Sequence, residues 1–232
     1  MNFTFDALIY YFPKLIASLP ITLKLVAMGA ILGIIVGLVF AFIRVERIPI
    51  LNQIVIVLIS FFRGTPIIIQ MFVVYYLVPG LLSLIGIDAL GWEKITFLYI
   101  TFGLNTGAFL AEAFRSAILA VPKLQGDAAL SIGLSRVQTY FRVIIPQAII
   151  IAIPIMGTTI IALLQESALA FTFGVLDVIG KINLLSKTYG HQIEAYIDAA
   201  IIFIILAIIL ENIFGYLEKR VSKQSFPEAQ GA

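Results

Sequence analysis

The polar side chains that interrupt the apolar runs of this chain are placed to recognise a ligand, not to react with one. Asn105 stands near the middle of a long apolar run, and Glu112, seven residues on, returns to nearly the same helical face as Thr101 and Ala108. An amide or carboxylate in such a setting is costly unless it faces a cavity or a partner, so Asn105 reads either as lining a path or as an interhelical hydrogen bond. Glu112 precedes Arg115 by three residues, the spacing of a structural ion pair. Gln165, Glu166 and Ser167 close a later run, where the carboxylate either attracts an ammonium or cationic group or merely reaches water. Gln70, near the start of another run, is an amide that water hydrates easily.

Covalent and hydrolytic chemistry lack their parts. There is no cysteine, which removes disulfides, thiolate metal sites and cysteine nucleophiles together. His191 is the only histidine, so no histidine pair can hold zinc, and no Gly-x-Ser-x-Gly elbow occurs. Gly174 to Gly180-Lys181-Ile182 resembles a phosphate loop only superficially: five residues separate the glycines where four are required, and Ile stands where Ser or Thr must bind magnesium. No cofactor or metal is expected in this chain.

The elements that must position these residues are membrane helices. Of 232 residues, 61% are hydrophobic and 12% charged, with a mean hydropathy of +1.09, far from the composition of soluble domains. The net charge is +2 and no basic stripe gathers, so nucleic acid is not a partner. Runs long enough for a hydrocarbon core of about 30 Å are placed at 20–43, 66–80, 95–120, 147–165 and 194–216 of a single domain, 1–232. Met1 to Pro13 carries no positive residue ahead of the first run, which exceeds a signal-peptide core, so that run is expected to be a retained span. Pro66 and Pro146 suit first turns, whereas Pro79 and Pro122 suit stops. Ile50 to Phe62 is expected to be an interfacial helix, after which Thr65 caps the second span. Gly29, Gly33 and Gly37 form a small-residue stripe for close helix approach, within one subunit or between two. Phe171 to Gly190 is too broken to cross and is expected to form outer helices.

Basic residues are retained on the cytoplasmic side. With the N-terminus outside, Arg44, Arg47, Arg63, Arg115, Lys123, Arg136, Arg142, Lys219, Arg220 and Lys223 fall inside, against Lys14, Lys24, Lys94, Lys181 and Lys187 outside, a ten to five split. The C-terminal tail, 217–232, is then cytoplasmic.

Between the third and fourth spans the polar segment 121–146 holds Asp127-Ala128-Ala129, then Gly133, then Val143-Ile144-Ile145-Pro146. It reads as a short helix favoured at its positive end by Asp127, a turn at Gly133, and a second helix capped by Ser135 and carrying Arg136 and Arg142. The segment resembles the EAA loop of ABC importer permeases, E-A-A, three residues, G, nine residues, then I-x-L-P, with Asp in place of Glu and Val and Ile in place of Ile and Leu. Further stretches are similar to the binding-protein-dependent permeases for polar amino acids of the histidine, glutamine, arginine and cystine type. They are Thr22 to Leu25, Phe62-Arg63-Gly64-Thr65-Pro66 with Gln70, Asn105 to Glu112 with Phe114-Arg115, and Gln165 to Leu169. In the last, Gln165 and Glu166 replace the usual Lys and Asp.

The resemblance implies an all-α membrane protein of about five transmembrane helices, with the ABC importer type I permease fold and cytoplasmic coupling helices. It implies a subunit of the bacterial plasma membrane that forms half of an amino-acid translocation pore by alternating access. It also implies partners: two ABC ATPase subunits, a second permease copy or sister permease, an extracytoplasmic substrate-binding protein, an amino-acid substrate and membrane lipid. Coupling to the ATPase would fall to Lys123, Gln125, Asp127, Ala128, Ala129, Gly133, Leu134, Ser135 and Arg136. Substrate contact would fall to Glu166, Gln165, Ser167, Asn105 and Gln70. The rival reading, an ion-gradient-driven secondary carrier, usually requires an internal repeat with matching broken helices, and no such repeat is evident.

Overall fold

The computed structural model describes residues 3–225, and among these there is no strand. Ten α-helices follow one another: α1 (Phe5–Ile16), α2 (Leu19–Val45), α3 (Leu51–Gly64), α4 (Ile67–Ser83), α5 (Lys94–Ala120), α6 (Lys123–Ser131), α7 (Arg136–Thr139), α8 (Ile145–Glu166), α9 (Val178–Tyr189) and α10 (Gln192–Ser225). A π-helical turn, Tyr140–Ile144, leads into α8, and a 3-10 helix, Ser167–Phe173, leads out of it. Four stretches are long and apolar enough to cross a membrane: Leu19–Val45, Lys94–Ala120, Arg136–Phe173 and Gln192–Ser222. At about 1.5 Å per residue, the 27 residues of α2 reach about 40 Å, more than the hydrocarbon thickness.

α5 is the hub. In its most apolar stretch 72% of residues are buried, against 28% in α2 and in α10, so α2, α3, α4 and α8 pack around it while α2 and α10 turn apolar outer faces to lipid. Its tightest neighbour is α2. A Cβ at Gly33 would lie 2.7 Å from the Cβ of Thr106, and one at Gly37 would lie 2.8 Å from that of Leu110. The fit is reciprocal, because a Cβ at Gly103 would meet Leu32 at 2.6 Å and one at Gly107 would meet Val36 at 2.7 Å. The glycine stripe therefore serves packing within the subunit.

The segment 50–80 differs from its sequence reading. The expected interfacial helix is α3, whose buried Val55, Ile59 and Phe62 pack on Ala108 and Ala111 of α5. α4 packs on the other half of α5, through Val74 against Phe97. With 14 residues, α3 rises about 21 Å, too little to cross alone, and the pair follows α5 as one interrupted element. Arg63, counted above among the flanking basic residues, consequently lies at mid-length of the bundle. Pro79 does not stop α4, which continues to Ser83, since neighbouring helices can hold a helix through a proline.

α1 occupies a stretch left unassigned by hydropathy. Its buried residues Ala7, Tyr11 and Leu15, at four-residue spacing, pack with Val178 and Ile182 of α9 and Ala195 and Ala199 of α10. Tyr11 donates from its hydroxyl to the carbonyl of Gly190 at 2.8 Å, and the Thr4 N–H donates to Glu194 at 3.0 Å. The stretch over Phe171 to Gly190 is the 3-10 helix, a left-handed Gly174 and α9. α10 carries the expected tail as far as Ser225, and residues 226–232 lie outside the described residues.

Candidate functional site

Two polar regions emerge, one at the break between α3 and α4 and one at the loop between α5 and α8. At the break, the last carbonyls of α3 lose their helical partners and need others. Thr65 does not cap α4; its hydroxyl donates back to Phe61 O at 2.8 Å, closing α3 instead. Gln70, fully buried, donates through Nε2 to Phe62 O at 2.8 Å and to Thr65 O at 2.8 Å. Its Oε1 accepts from Asn105 Nδ2 at 2.9 Å, and Asn105 Nδ2 also reaches Phe62 O at 3.3 Å. The two amides thus hold the broken element against α5. Gln70 is consumed there and is not among the residues that line the cavity described below, which corrects its reading as an easily hydrated amide.

Asn105 also faces a cavity of about 210 Å³ between α5 and α8. Asn105, Thr106 and Phe109 line it from α5, and Thr158, Thr159, Ala162 and Glu166 from α8. Asn105 and Glu166, about sixty residues apart in the chain, are therefore brought together. Gln165 is exposed and lies outside this lining, and Ser167 is fully buried with its hydroxyl donating to Leu164 O at 2.7 Å. Neither reaches the cavity.

The hydrogen-bond ledger gives the cavity a chemical sign. Both hydrogens of the Asn105 amide are committed, to Phe62 O and Gln70, which leaves its carbonyl oxygen as the free group. Thr158 and Thr159 both donate to Ile155 O, at 3.0 Å and 2.7 Å, leaving hydroxyl lone pairs. Among the described residues nothing pairs with the Glu166 carboxylate. Asn105, Thr158, Thr159 and Glu166 can thus all accept, and a hydrogen-rich cation is the occupant they suit. Sequence reasoning missed the two threonines; their spacing of seven and eight residues before Glu166 was the available signal.

Glu112 belongs to neither region. It pairs with Arg115 at 3.0 Å, as its spacing predicts, and also with Arg44 of α2, a partner that sequence distance concealed.

In the loop, α6 begins at Lys123, so Asp127 sits in mid-helix and not at the positive end it was expected to favour. Gly133 adopts a left-handed φ of +89°, and its N–H and that of Leu134 close α6 on Leu130 O and Ala129 O at 3.0 Å and 3.2 Å. Ser135 and Gln138 cap α7 reciprocally: Gln138 N–H donates to the Ser135 hydroxyl at 3.3 Å and Ser135 N–H to Gln138 Oε1 at 2.9 Å. The π-helical turn that follows accommodates Pro146, which cannot donate a backbone hydrogen bond. Gln147 ties α8 to Gln125 of α6, and Tyr140 donates to Glu46 at 3.1 Å.

The backbone of this loop is well closed, but its surface is not. Leu124 is 78% exposed, Ile132 80%, Val137 66% and Phe141 67%. Of the remaining loop residues named above, Lys123, Asp127, Ala128 and Arg136 are exposed, Gln125 and Leu134 half-buried, and Ala129 buried.

Comparison with known proteins bears on the family and the fold. Residues 29–223 match the family described as binding-protein-dependent transport system inner membrane component. The chain is 40% identical over 213 residues to the L-cystine transport system permease protein TcyL of Bacillus subtilis (strain 168), covering 92% of this chain and 89% of that one. It is 38% identical to the probable amino-acid permease protein YxeN of the same organism, covering 94% and 96%. It superposes on the crystal structure of an amino acid ABC transporter with histidines at a TM-score of 0.82, with 28% identity, over 95% of this chain and 100% of that one.

Proposed function

The chain belongs to the family of binding-protein-dependent transport system inner membrane components, and from that premise we propose how its two polar regions divide the work of an ATP-driven amino-acid importer. Its relatives are permease subunits of ABC transport systems for amino acids, and the chain is such a permease: a multi-pass inner-membrane component that works with an ATPase and a substrate-binding protein. The ion-gradient carrier finds no support among these relatives.

One observation carries the division of work. The loop between α5 and α8 is rigidly capped yet leaves Leu124, Ile132, Val137 and Phe141 in the open, a closed backbone presenting an unburied apolar surface. We assign that surface, with Lys123, Gln125, Asp127 to Ala129 and Gly133 to Arg136, to docking on the ATPase. The ATPase binds ATP and magnesium, and this chain holds no cofactor. Two ATPases serve a pore formed with a second permease, either a copy of this chain or a sister. The N-terminus lies outside and the C-terminus in the cytoplasm; removing Arg63 from the flanking charges leaves nine basic residues inside against five outside. The cavity at Asn105 and Glu166 receives the cargo's cationic group from the outer binding protein. ATP-driven closure of the ATPases then shifts the spans between two states, which requires the nucleotide to favour one over the other.

Reconstitution in vesicles with its ATPase and binding protein tests this reading. Uptake should require ATP and vanish without the ATPase. Uptake that persists on an imposed ion gradient alone would restore the carrier.

A further inference from the structure

An amino acid has two charged ends, and the acceptor-lined cavity accounts for one of them. Taking the cavity as the cargo site, a reading on which this inference rests, the carboxylate still needs a donor. Asn105, Thr158 and Thr159 have their hydrogens committed elsewhere, which leaves the neutral hydroxyl of Thr106 and no cation in the lining. The cation nearest in kind is Arg63, whose guanidinium carbon lies 5.4 Å from the ring centroid of Phe109, itself a lining residue of the cavity.

Three observations set Arg63 apart from an ordinary basic residue. It ends a helix that stops at mid-length of α5, where an ionised side chain is costly unless it serves a path or a partner. Among the described residues no carboxylate pairs with it, whereas Arg44 and Arg115 are both held by Glu112. The usual task of a basic residue at a helix C-terminus, bonding the last carbonyls, is already done at Phe61 and Phe62 by Thr65, Gln70 and Asn105. The side chain is exposed and its charge is unspent.

We propose that Arg63, lying over the Phe109 ring, binds the carboxylate of an extended amino acid whose cationic group rests at Glu166. Phe109 and Glu166 stand at opposite ends of the cavity, and Arg63 lies on the Phe109 ring beside it without being one of its lining residues. α5 ends at the coupling loop and α8 begins there, so Phe109 is one turn nearer the loop than Asn105, while Glu166 ends α8 on the far side. Along α8 alone the cavity lining from Thr158 to Glu166 covers about 12 Å. That span suits a cargo whose carboxylate and a cationic group are several bonds apart, such as arginine or cystine, over a short neutral amino acid. A guanidinium offers a planar pair of donors to a carboxylate, and the ring fixes its plane.

The test is equilibrium binding to the full chain in lipid nanodiscs, with labelled L-arginine and L-cystine compared with their decarboxylated counterparts agmatine and cystamine. The wild type should prefer each amino acid by about tenfold or more, the worth of a charged hydrogen bond. Arg63→Gln should bring the ratio close to one by weakening the amino acid alone, and Arg63→Lys should give an intermediate ratio. Glu166→Gln should weaken acid and amine alike, which examines the cavity reading separately. A ratio unmoved by Arg63→Gln, or equal binding of acid and amine by the wild type, overturns the role of Arg63 and leaves the cavity standing. If the wild type binds none of the four probes, both readings fall. Should Arg63→Gln fail to fold, Phe109→Leu, which removes the platform under the guanidinium, must lower the same ratio.

Discussion

The break at Gly64-Thr65-Pro66 and the loop from Lys123 to Pro146 are both interruptions of helix, and they are finished in opposite ways. At the break, each carbonyl freed at Phe61, Phe62 and Thr65 is answered by a side chain of the same subunit, two of those answers coming from one buried glutamine. At the loop, the backbone is closed by Gly133 and by the Ser135–Gln138 box, while large apolar side chains are left in the open. At the first, those three carbonyls are satisfied within one chain, as lipid surroundings demand, while the Arg63 side chain is left over. The second is complete only with another protein against it. Internal satisfaction marks scaffold, and its absence marks a surface meant for a partner.

The contrast would break first at Gln70. Gln70→Leu removes the donor to Thr65 O and leaves Phe62 O and the Asn105 amide with only their 3.3 Å bond to each other, and each buried group left without a partner costs about 1–3 kcal/mol. We expect the melting temperature in detergent to fall by roughly 10 °C or more, or the folded protein to be lost; an unchanged melt would mean that the break is held by something else. Gly33→Ala comes next, since its Cβ would fall 2.7 Å from Thr106 and force α2 away from α5, at about 1–3 kcal/mol. Restored stability in the pair Gly33→Ala with Thr106→Gly is the outcome that proves the contact responsible. Gly133→Val should disturb the fold less, by about 1–2 kcal/mol for a branched residue in a left-handed turn. Its effect should appear in function, with membrane insertion and ATP hydrolysis by the complex retained and uptake lost; undiminished uptake counts against a coupling role.

Asp177 sharpens the comparison with the smallest effect, because it is half satisfied. It caps α9 by accepting from Gly180 N–H at 2.8 Å, yet its second oxygen is buried with no partner among the described residues. Burial raises its pKa from 3.8 to about 6, against the opposing pull of backbone N–H bonds. The protonated form is thus favoured in the folded state, so stability is greatest below pH 4, declines as pH rises to about 6, and is level above. Asp177→Asn keeps the acceptor and removes the charge. The melting temperature of this variant should lose that slope and stand a few degrees above wild type at pH 7; a persisting slope would assign the titration to another group.

How much of this was legible in the sequence depends on the range of each interaction. The helices Lys94–Ala120 and Gln192–Ser225, the Glu112–Arg115 pair, the Gly133 turn and the Ser135 cap all follow from neighbours within a few residues. α1 escaped because hydropathy alone does not separate a 12-residue amphipathic helix from a polar lead-in, though Ala7, Tyr11 and Leu15 carried the period. The path of α3 into the bundle rests on Val55, Ile59 and Phe62 meeting Ala108 and Ala111, a pairing that no local pattern encodes. The role of Gln70 was hidden for the same reason, since its carbonyl partner is another buried amide thirty-five residues away. Of the candidate site, Asn105 and Glu166 could be named from their setting, but which hydrogens they had left to give could be read only in three dimensions.

The notched fit of α2 against α5 has a mechanical consequence. Where Leu32 seats on Gly103, Val36 on Gly107 and Thr106 on Gly33, neither helix can slide by one residue without driving a side chain into backbone. The two must travel as one stiff beam, so a stroke delivered at the loop end of α5 would reach the opposite face of the membrane undiminished.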